Sequence, residues 1–312
     1  MIVKILFAAT GEIAVKTLEK LNEMGLVRAV LTTPDVPGKR GKKLLPSPVK
    51  VKALELGLDV IQPERLRTEA REEVKALGAD TLVSFCYGKI FGPKFLSLFD
   101  RTFNIHPSML PKYRGCAPIY QTILNRDRMG GITIQEIALE VDSGDVINTM
   151  EYELDGCEND STLEEKVSLM AASLAEKTFS DISSFPPRKQ EGEATYSAFI
   201  EKSEAEIDFS RPACELHAQI RACYPWPKAV VKYKDSSLFL TDVSDSVFDG
   251  FEKTEGEKPG TVVAFVKKRG FKIATGDGYL YVSKVQAPAK KEMDAASYLN
   301  GDRSIISSVL GE

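Results

Sequence analysis

The chain has 312 residues, 43% hydrophobic and 28% charged, the mix of a globular protein with room for two domains. That composition excludes a disordered, collagenous or membrane-spanning chain. With 41 basic and 45 acidic residues the net charge is −4, so a uniformly basic nucleic-acid coat is excluded and a local basic patch is not.

The opening MIVKILFAATGEIA has a short apolar run and no small-residue cleavage site, so no signal peptide is expected. The five cysteines are scattered without a Cys-x-x-Cys pair and are expected as reduced thiols in a cytoplasm. With two histidines in the chain, no metal site is expected.

In chain order, Ile2–Ala8 is a continuous apolar run, the pattern of a strand buried on both faces. Thr10 and Gly11 turn it into a helical period through Ile13, Leu18 and Leu21. Val27–Leu31 is a second strand. Ser47–Pro48 is a helix start, Ser as cap and Pro at the first helical position. Asp80–Cys86 and Thr102–Ile105 are further buried strands, and Ile132–Ile137 and Val146–Leu154 alternate as antiparallel or edge strands do. Ser161-Thr-Leu-Glu164 fits a capping box for a helix that ends by Phe185-Pro-Pro. After a polar stretch come one short helix, Cys214–Ala222, and five short strands between Ala229 and Val285.

The expected class is therefore α/β. A Rossmann-like, mostly parallel sheet with helices on both faces precedes a small C-terminal OB-like β-barrel domain. The expected domains are a catalytic one at 1–185, a linker at 186–207, and the β-barrel at 208–312.

The sharpest chemical signal is Phe103-Asn-Ile-His-Pro-Ser-Met-Leu-Pro111. Asn104 and His106 share one face of a strand that ends there. In open α/β sheets that end of a parallel strand borders the ligand crevice. Asn can donate to a developing oxyanion and His can donate or move a proton. A carboxylate must orient such a histidine, and the turn Glu140-Val-Asp-Ser-Gly-Asp145 supplies Asp142 and Asp145. Spacing alone does not choose between them. Lys39, Arg40, Lys42, Lys43, Lys50 and Lys52 lie between Asp35 and Glu55 with no acid among them. In a parallel sheet this basic loop falls on the same crevice side as His106, where it could grip phosphates.

Asn104-x-His106-x-Ser108-x-Leu110-Pro111, Lys112-Tyr-Arg-Gly115 and Asp142-Ser-Gly-Asp145 resemble the signature of the folate-dependent formyltransferases. The resemblance runs on through Thr33-Pro-Asp35, Arg40-Gly-Lys-Lys-Leu44, Pro225-Trp-Pro227 and Pro288-Ala-x-Lys-Lys291, nearly end to end. It departs at Ala9-Thr10-Gly11, where a Gly-Thr-Pro-type turn is usual, and at Met109, where leucine is usual. It implies 10-formyltetrahydrofolate as formyl donor, no metal, and catalysis by Asn104, His106 and Asp142. The folate would lie against Tyr87, Gly88, Ile90, Ser108, Met109, Leu110 and Pro111. The basic loop and appended β-domain imply the methionine amine of initiator methionyl-tRNA as acceptor, held by Arg40, Lys42 and Lys43. A monomer working without a membrane is expected. The rival expectations are formyl transfer to a small amine and a catalytically dead tRNA-binding protein.

Overall fold

The computed structural model describes residues 3–38 and 44–312. Arg40, Lys42 and Lys43 lie outside them. The contacts divide the chain into two compact units that interleave in sequence. Met1–Gly115, Gly131–Tyr152 and Glu164–Tyr196 make the first; Cys116–Gly130, Glu153–Leu163 and Ser197–Glu312 make the second.

The first unit holds the strands β1 (Ile5–Ala9), β2 (Val27–Leu31), β3 (Val36–Pro37), β4 (Leu44–Leu45), β5 (Val60–Ile61), β6 (Thr81–Phe85), β7 (Arg101–His106) and β8 (Arg114–Gly115). It also takes most of β9 (Met129–Glu136) and β10 (Val146–Glu153). Seven of these form one sheet in the order β10-β9-β7-β6-β1-β2-β5. The pairs β1–β2, β1–β6, β2–β5 and β6–β7 are parallel, and β7–β9 is antiparallel. Every residue of β1 and β6 is buried, as the unbroken apolar runs require of strands covered on both faces. The chain moves outward from β1 in one direction through β2 and in the other through β6 and β7. The strand ends beside β1 are thus a topological switch point, the usual crevice of such sheets. His106 is the last residue of β7 and lies at this end.

The helices of this unit are α1 (Val15–Glu23), α2 (Pro48–Glu55), α3 (Thr68–Ala76) and α4 (Pro93–Leu96). Helix α1 buries Leu18 and Leu21. Helix α2 starts as the sequence predicts: Ser47 Oγ accepts from Lys50 N at 3.1 Å, and Pro48 opens the helix. A further helix, α5 (Pro118–Leu124), belongs to the second unit, and α6 (Asp160–Ser180) begins there. The start of α6 differs from expectation. Asn159, not Ser161, is the cap: its Oδ1 accepts from Thr162 N at 2.9 Å, and Thr162 Oγ1 accepts from Asn159 N at 3.1 Å. Threonine fills the reciprocal role that Glu164 was expected to take, and Glu164 turns to the Ile13 backbone instead. Residues just after α6 are no bare tether. Arg188 N and O bridge to Val146 O and N at 2.9 and 2.7 Å, which ties the stretch to the edge of the sheet.

The second unit contains α7 (Ala213–Ala222), α8 (Ala295–Gly301) and the strands β11 (Tyr196–Ser197, at its boundary), β12 (Ala229–Tyr233), β13 (Ser236–Val243), β14 (Val262–Val266), β15 (Gly270–Ala274), β16 (Tyr279–Gln286) and β17 (Met293–Asp294). Strands β12 to β17 form one antiparallel sheet, β12-β13-β16-β15-β14 with β17 on β16. A parallel-sheet unit is therefore followed by an antiparallel β unit, the class expected. His217 and Arg221 on α7 are buried together. Arg221 Nε donates to His217 Nδ1 at 3.1 Å, and Arg221 Nη1 to Glu158 O at 2.7 Å. No disulfide joins any of the five cysteines, all of which lie among the described residues. Among the described residues, no helix is long and apolar enough to cross a membrane.

Candidate active site

The antiparallel β7–β9 ladder sets Asn104 opposite Gln135. The loop after β9 returns Asp142 onto the same two residues. Asp142 has a φ of 51°, a left-handed conformation that aspartate tolerates better than most residues. Gly144 lets the loop close: a Cβ there would stand 1.8 Å from Glu136 O.

Three N–H groups donate to the Asp142 carboxylate, and the His106 ring lies beside it. Oδ1 accepts from Asn104 Nδ2 at 3.1 Å and from Gln135 Nε2 at 2.7 Å. Oδ2 accepts from Gly115 N at 2.9 Å and lies 3.5 Å from His106 Nδ1. Asp145, the alternative left open by spacing, pairs with Lys189 Nζ at 2.8 Å. The structure thus brings together Asn104, His106 and Asp142 and sets Asp145 to another task.

His106 is 3% exposed. Its Nε2 lies 2.9 Å from Tyr113 O. A carbonyl only accepts, so Nε2 carries the hydrogen and Nδ1 is the basic nitrogen. Burial pushes the imidazole below its ordinary pKa, while the Asp142 carboxylate and the Tyr113 carbonyl pull it up. A neutral ring that can gain a proton beside a carboxylate is the outcome.

The loop after His106 is anchored by Thr133, a fully buried residue the sequence did not single out. Its Oγ1 donates to Ser108 O at 2.7 Å and accepts from Leu110 N at 3.2 Å. Ser108 Oγ also donates to Lys112 O. Leu110 and Pro111 are buried, and Met109 lies against Gly131, whose missing side chain makes room for it. Tyr87 is 2% exposed and stacks on Phe91 inside the core, Gly88 takes a φ of 81°, and Ile90 is 82% exposed. Tyr87 therefore supports this corner from within, and Ile90 faces outward. Gln190 was also missed. Its Nε2 donates to Asp142 O and Gly144 O at 2.8 Å each, and its Oε1 accepts from Arg114 Nη2 at 2.8 Å. Among the described residues, no cluster of three His, Cys, Asp or Glu side chains could hold a metal.

An amide donor, a basic imidazole and a carboxylate at the C-terminal end of β7 suit attack on a carbonyl carbon with a charged intermediate. Residues 2–176 match the family described as formyl transferase, and residues 199–303 match the formyl transferase C-terminal domain. The chain belongs to the formyl transferase family. Two curated relatives align along nearly the whole chain. The methionyl-tRNA formyltransferase of Borrelia hermsii is 35% identical over 98% of this chain and 99% of its own. That of Lachnospira eligens is 36% identical over 99% and 100%. Among solved structures, WlaRD, a sugar 3N-formyl transferase crystallised with dTDP and 5-N-formyl-THF, has a TM-score of 0.64 at 21% identity. It covers 93% of this chain and 100% of its own. At that identity the likeness is one of fold.

Proposed function

We propose that the chain transfers the formyl group of 10-formyltetrahydrofolate to the α-amino group of methionine on initiator methionyl-tRNA. The observation that carries this is end-to-end similarity to curated methionyl-tRNA formyltransferases, joined to the Asn104–His106–Asp142 constellation.

The free amine attacks the formyl carbon and gives a tetrahedral oxyanion. Asn104 spends one amide hydrogen on Asp142 and offers the other to that oxygen. His106, neutral at rest, takes the proton the amine loses. Asp142 steadies the imidazolium across 3.5 Å. Collapse of the adduct breaks the bond between the formyl carbon and the folate N10, and the proton passes to that nitrogen. Tetrahydrofolate and formylmethionyl-tRNA leave. The folate lies along Ser108, Met109, Leu110 and Pro111, with Gly88 and Ile90 at the rim and Tyr87 beneath. Arg40, Lys42 and Lys43 grip acceptor-stem phosphates. The enzyme works as a monomer in the cytoplasm, and needs no metal.

The test is a mass-spectrometric assay of methionyl-tRNA, glycinamide ribonucleotide and amino sugar nucleotides in parallel with one folate donor. Formylmethionine on tRNA supports the proposal. Exclusive formylation of a small amine overturns it.

A further inference from the structure

Behind the Asp142 carboxylate lies a chain of side chains whose hydrogen-bond polarity is fixed from one end. The Arg114 guanidinium can only donate. Its Nε and Nη2 lie 3.1 and 2.8 Å from Gln190 Oε1, so that oxygen accepts and the other end of the amide is Nε2. Gln190 Nε2 donates to Asp142 O and Gly144 O at 2.8 Å, and more weakly to Gln135 Oε1 at 3.4 Å. Gln135 must then turn its Nε2 to Asp142 Oδ1, which it meets at 2.7 Å, the shortest of the contacts to that carboxylate. No member of this chain can flip its amide without setting oxygen against oxygen.

Gln135 is 1% exposed on the sheet and makes no use of solvent. The residues before and after it in β9 are Ile134 and Glu136, so nothing in the strand pattern demands an amide there. A buried amide at this point is costly unless both ends are bonded. Here Nε2 donates to the carboxylate and Oε1 accepts from Gln190.

We infer that Gln135, set in orientation through Gln190 and Arg114, is a positioning residue for Asp142 in the transfer reaction. It holds Oδ1 so that Oδ2 faces His106 and Asn104 keeps its donor in the crevice. Gln135 touches neither substrate. The inference rests on the proposed formyl transfer and on Asp142 serving His106 in it. The charged or titratable groups around the pair are His106, the Cys86 thiol, Arg114 with Glu140 at 3.8 Å, and Asp145 with Lys189.

The test uses the full chain with Gln135→Met, which keeps length and removes both hydrogen-bonding ends, with Gln135→Glu, which sets a second carboxylate against Asp142, and with Gln190→Met. A hydrogen bond to a charged group is worth about a ten- to hundredfold change. Gln135→Met is expected to lower kcat by that factor while KM for folate and tRNA stays as in the wild type. Gln190→Met is expected to do the same to a smaller degree. The chain has two histidines, so nuclear magnetic resonance can follow the His106 ring directly. In Gln135→Glu its titration is expected to move to higher pH, because added negative charge favours the imidazolium. Wild-type kcat in Gln135→Met, or an unmoved His106 titration in Gln135→Glu, overturns the inference. A loss of activity that only tracks the folded fraction by circular dichroism also overturns it. A wild type that fails to formylate methionyl-tRNA sinks the proposed function instead. The His106 titration still tests the geometry in that case.

Discussion

Asn104 and Gln135 face each other across the β7–β9 ladder, and both donate to the same oxygen of Asp142. Strand register, not loop chance, therefore fixes two of the donors on the carboxylate. The loop only has to bring Asp142 over a prepared pair.

Removing the oxyanion donor, or the base, should show in the chemical step. Asn104→Ala and His106→Ala are expected to lower the single-turnover rate by about 10²–10³. Folate affinity, measured by fluorescence or calorimetry, should stay within a factor of about three, since neither residue is among those proposed to line the folate. Near-normal single-turnover rates would remove both residues from the mechanism.

The turn at Gly144 is a second lever. An alanine Cβ would meet the Glu136 carbonyl at 1.8 Å, so the backbone carrying Asp142 must shift. A misplacement of about 1 Å can cost about 10²-fold in rate. Gly144→Ala is expected to lose kcat on that scale, with a lowered melting temperature. Unchanged kinetics would mean that the carboxylate tolerates a displaced loop.

The sequence made the frame of this site legible, because its signals are local. The unbroken apolar runs at Ile5–Ala9 and Thr81–Phe85 mark strands buried on both faces. Ser47–Pro48 marks a capped helix start. Period two puts Asn104 and His106 on one face. The choice of Asp142 over Asp145 was not legible from spacing; it depends on how the turn folds back, with Asp145 drawn off by Lys189. Gln135, Thr133 and Gln190 gave no signal. Each is a polar residue whose partner is set by the fold and not by a local pattern: Thr133 bonds the loop 25 residues before it, Gln135 meets Asp142 only once the turn after β9 folds back, and Gln190 lies 55 residues from Gln135. At the start of α6 Asn159 caps in place of Ser161, because its side chain and that of Thr162 each bond the other's backbone N–H.

His217 predicts a pH dependence of stability. It is 1% exposed, accepts from Arg221 at Nδ1, and lies with Nε2 3.3 and 3.2 Å from the carbonyls of Ser244 and Asp245. Burial, with the Arg221 charge adding to it, pushes its pKa down to about 4. The unfolded chain binds the proton at about pH 6.5 and the folded chain resists it. The stability from neutral His217 is thus whole above about pH 6.5 and is lost as pH falls through about 4, some 3 kcal/mol in all. His217→Gln can accept from Arg221 and donate to the same carbonyls without titrating. Urea melts between pH 7 and 4 should show a flatter decline in this variant. Parallel slopes would mean that other groups carry the acid sensitivity.

The basic loop predicts a salt effect. Changing Arg40, Lys42 and Lys43 to alanine is expected to reduce kcat/KM for methionyl-tRNA and flatten its dependence on salt. Each neutralised phosphate releases condensed counterions, and the variant has fewer to neutralise. Folate affinity should not change. Arg40→Lys should cost more than Lys42→Arg, because a guanidinium clamps phosphate with two parallel bonds. An unchanged salt slope in the triple variant would make the loop a solvated surface.

The central claim is that this site delivers a formyl group to the amine of a tRNA-borne methionine. The most direct measurement is a competition. Purified protein is given 10-formyltetrahydrofolate with methionyl-tRNA and a small amine acceptor together, and the products are weighed by mass spectrometry. The account predicts formylmethionine released from the tRNA, and none from the Asn104→Ala, His106→Ala double variant over the same time. Formyl label on the small amine alone, with methionyl-tRNA untouched, would contradict it.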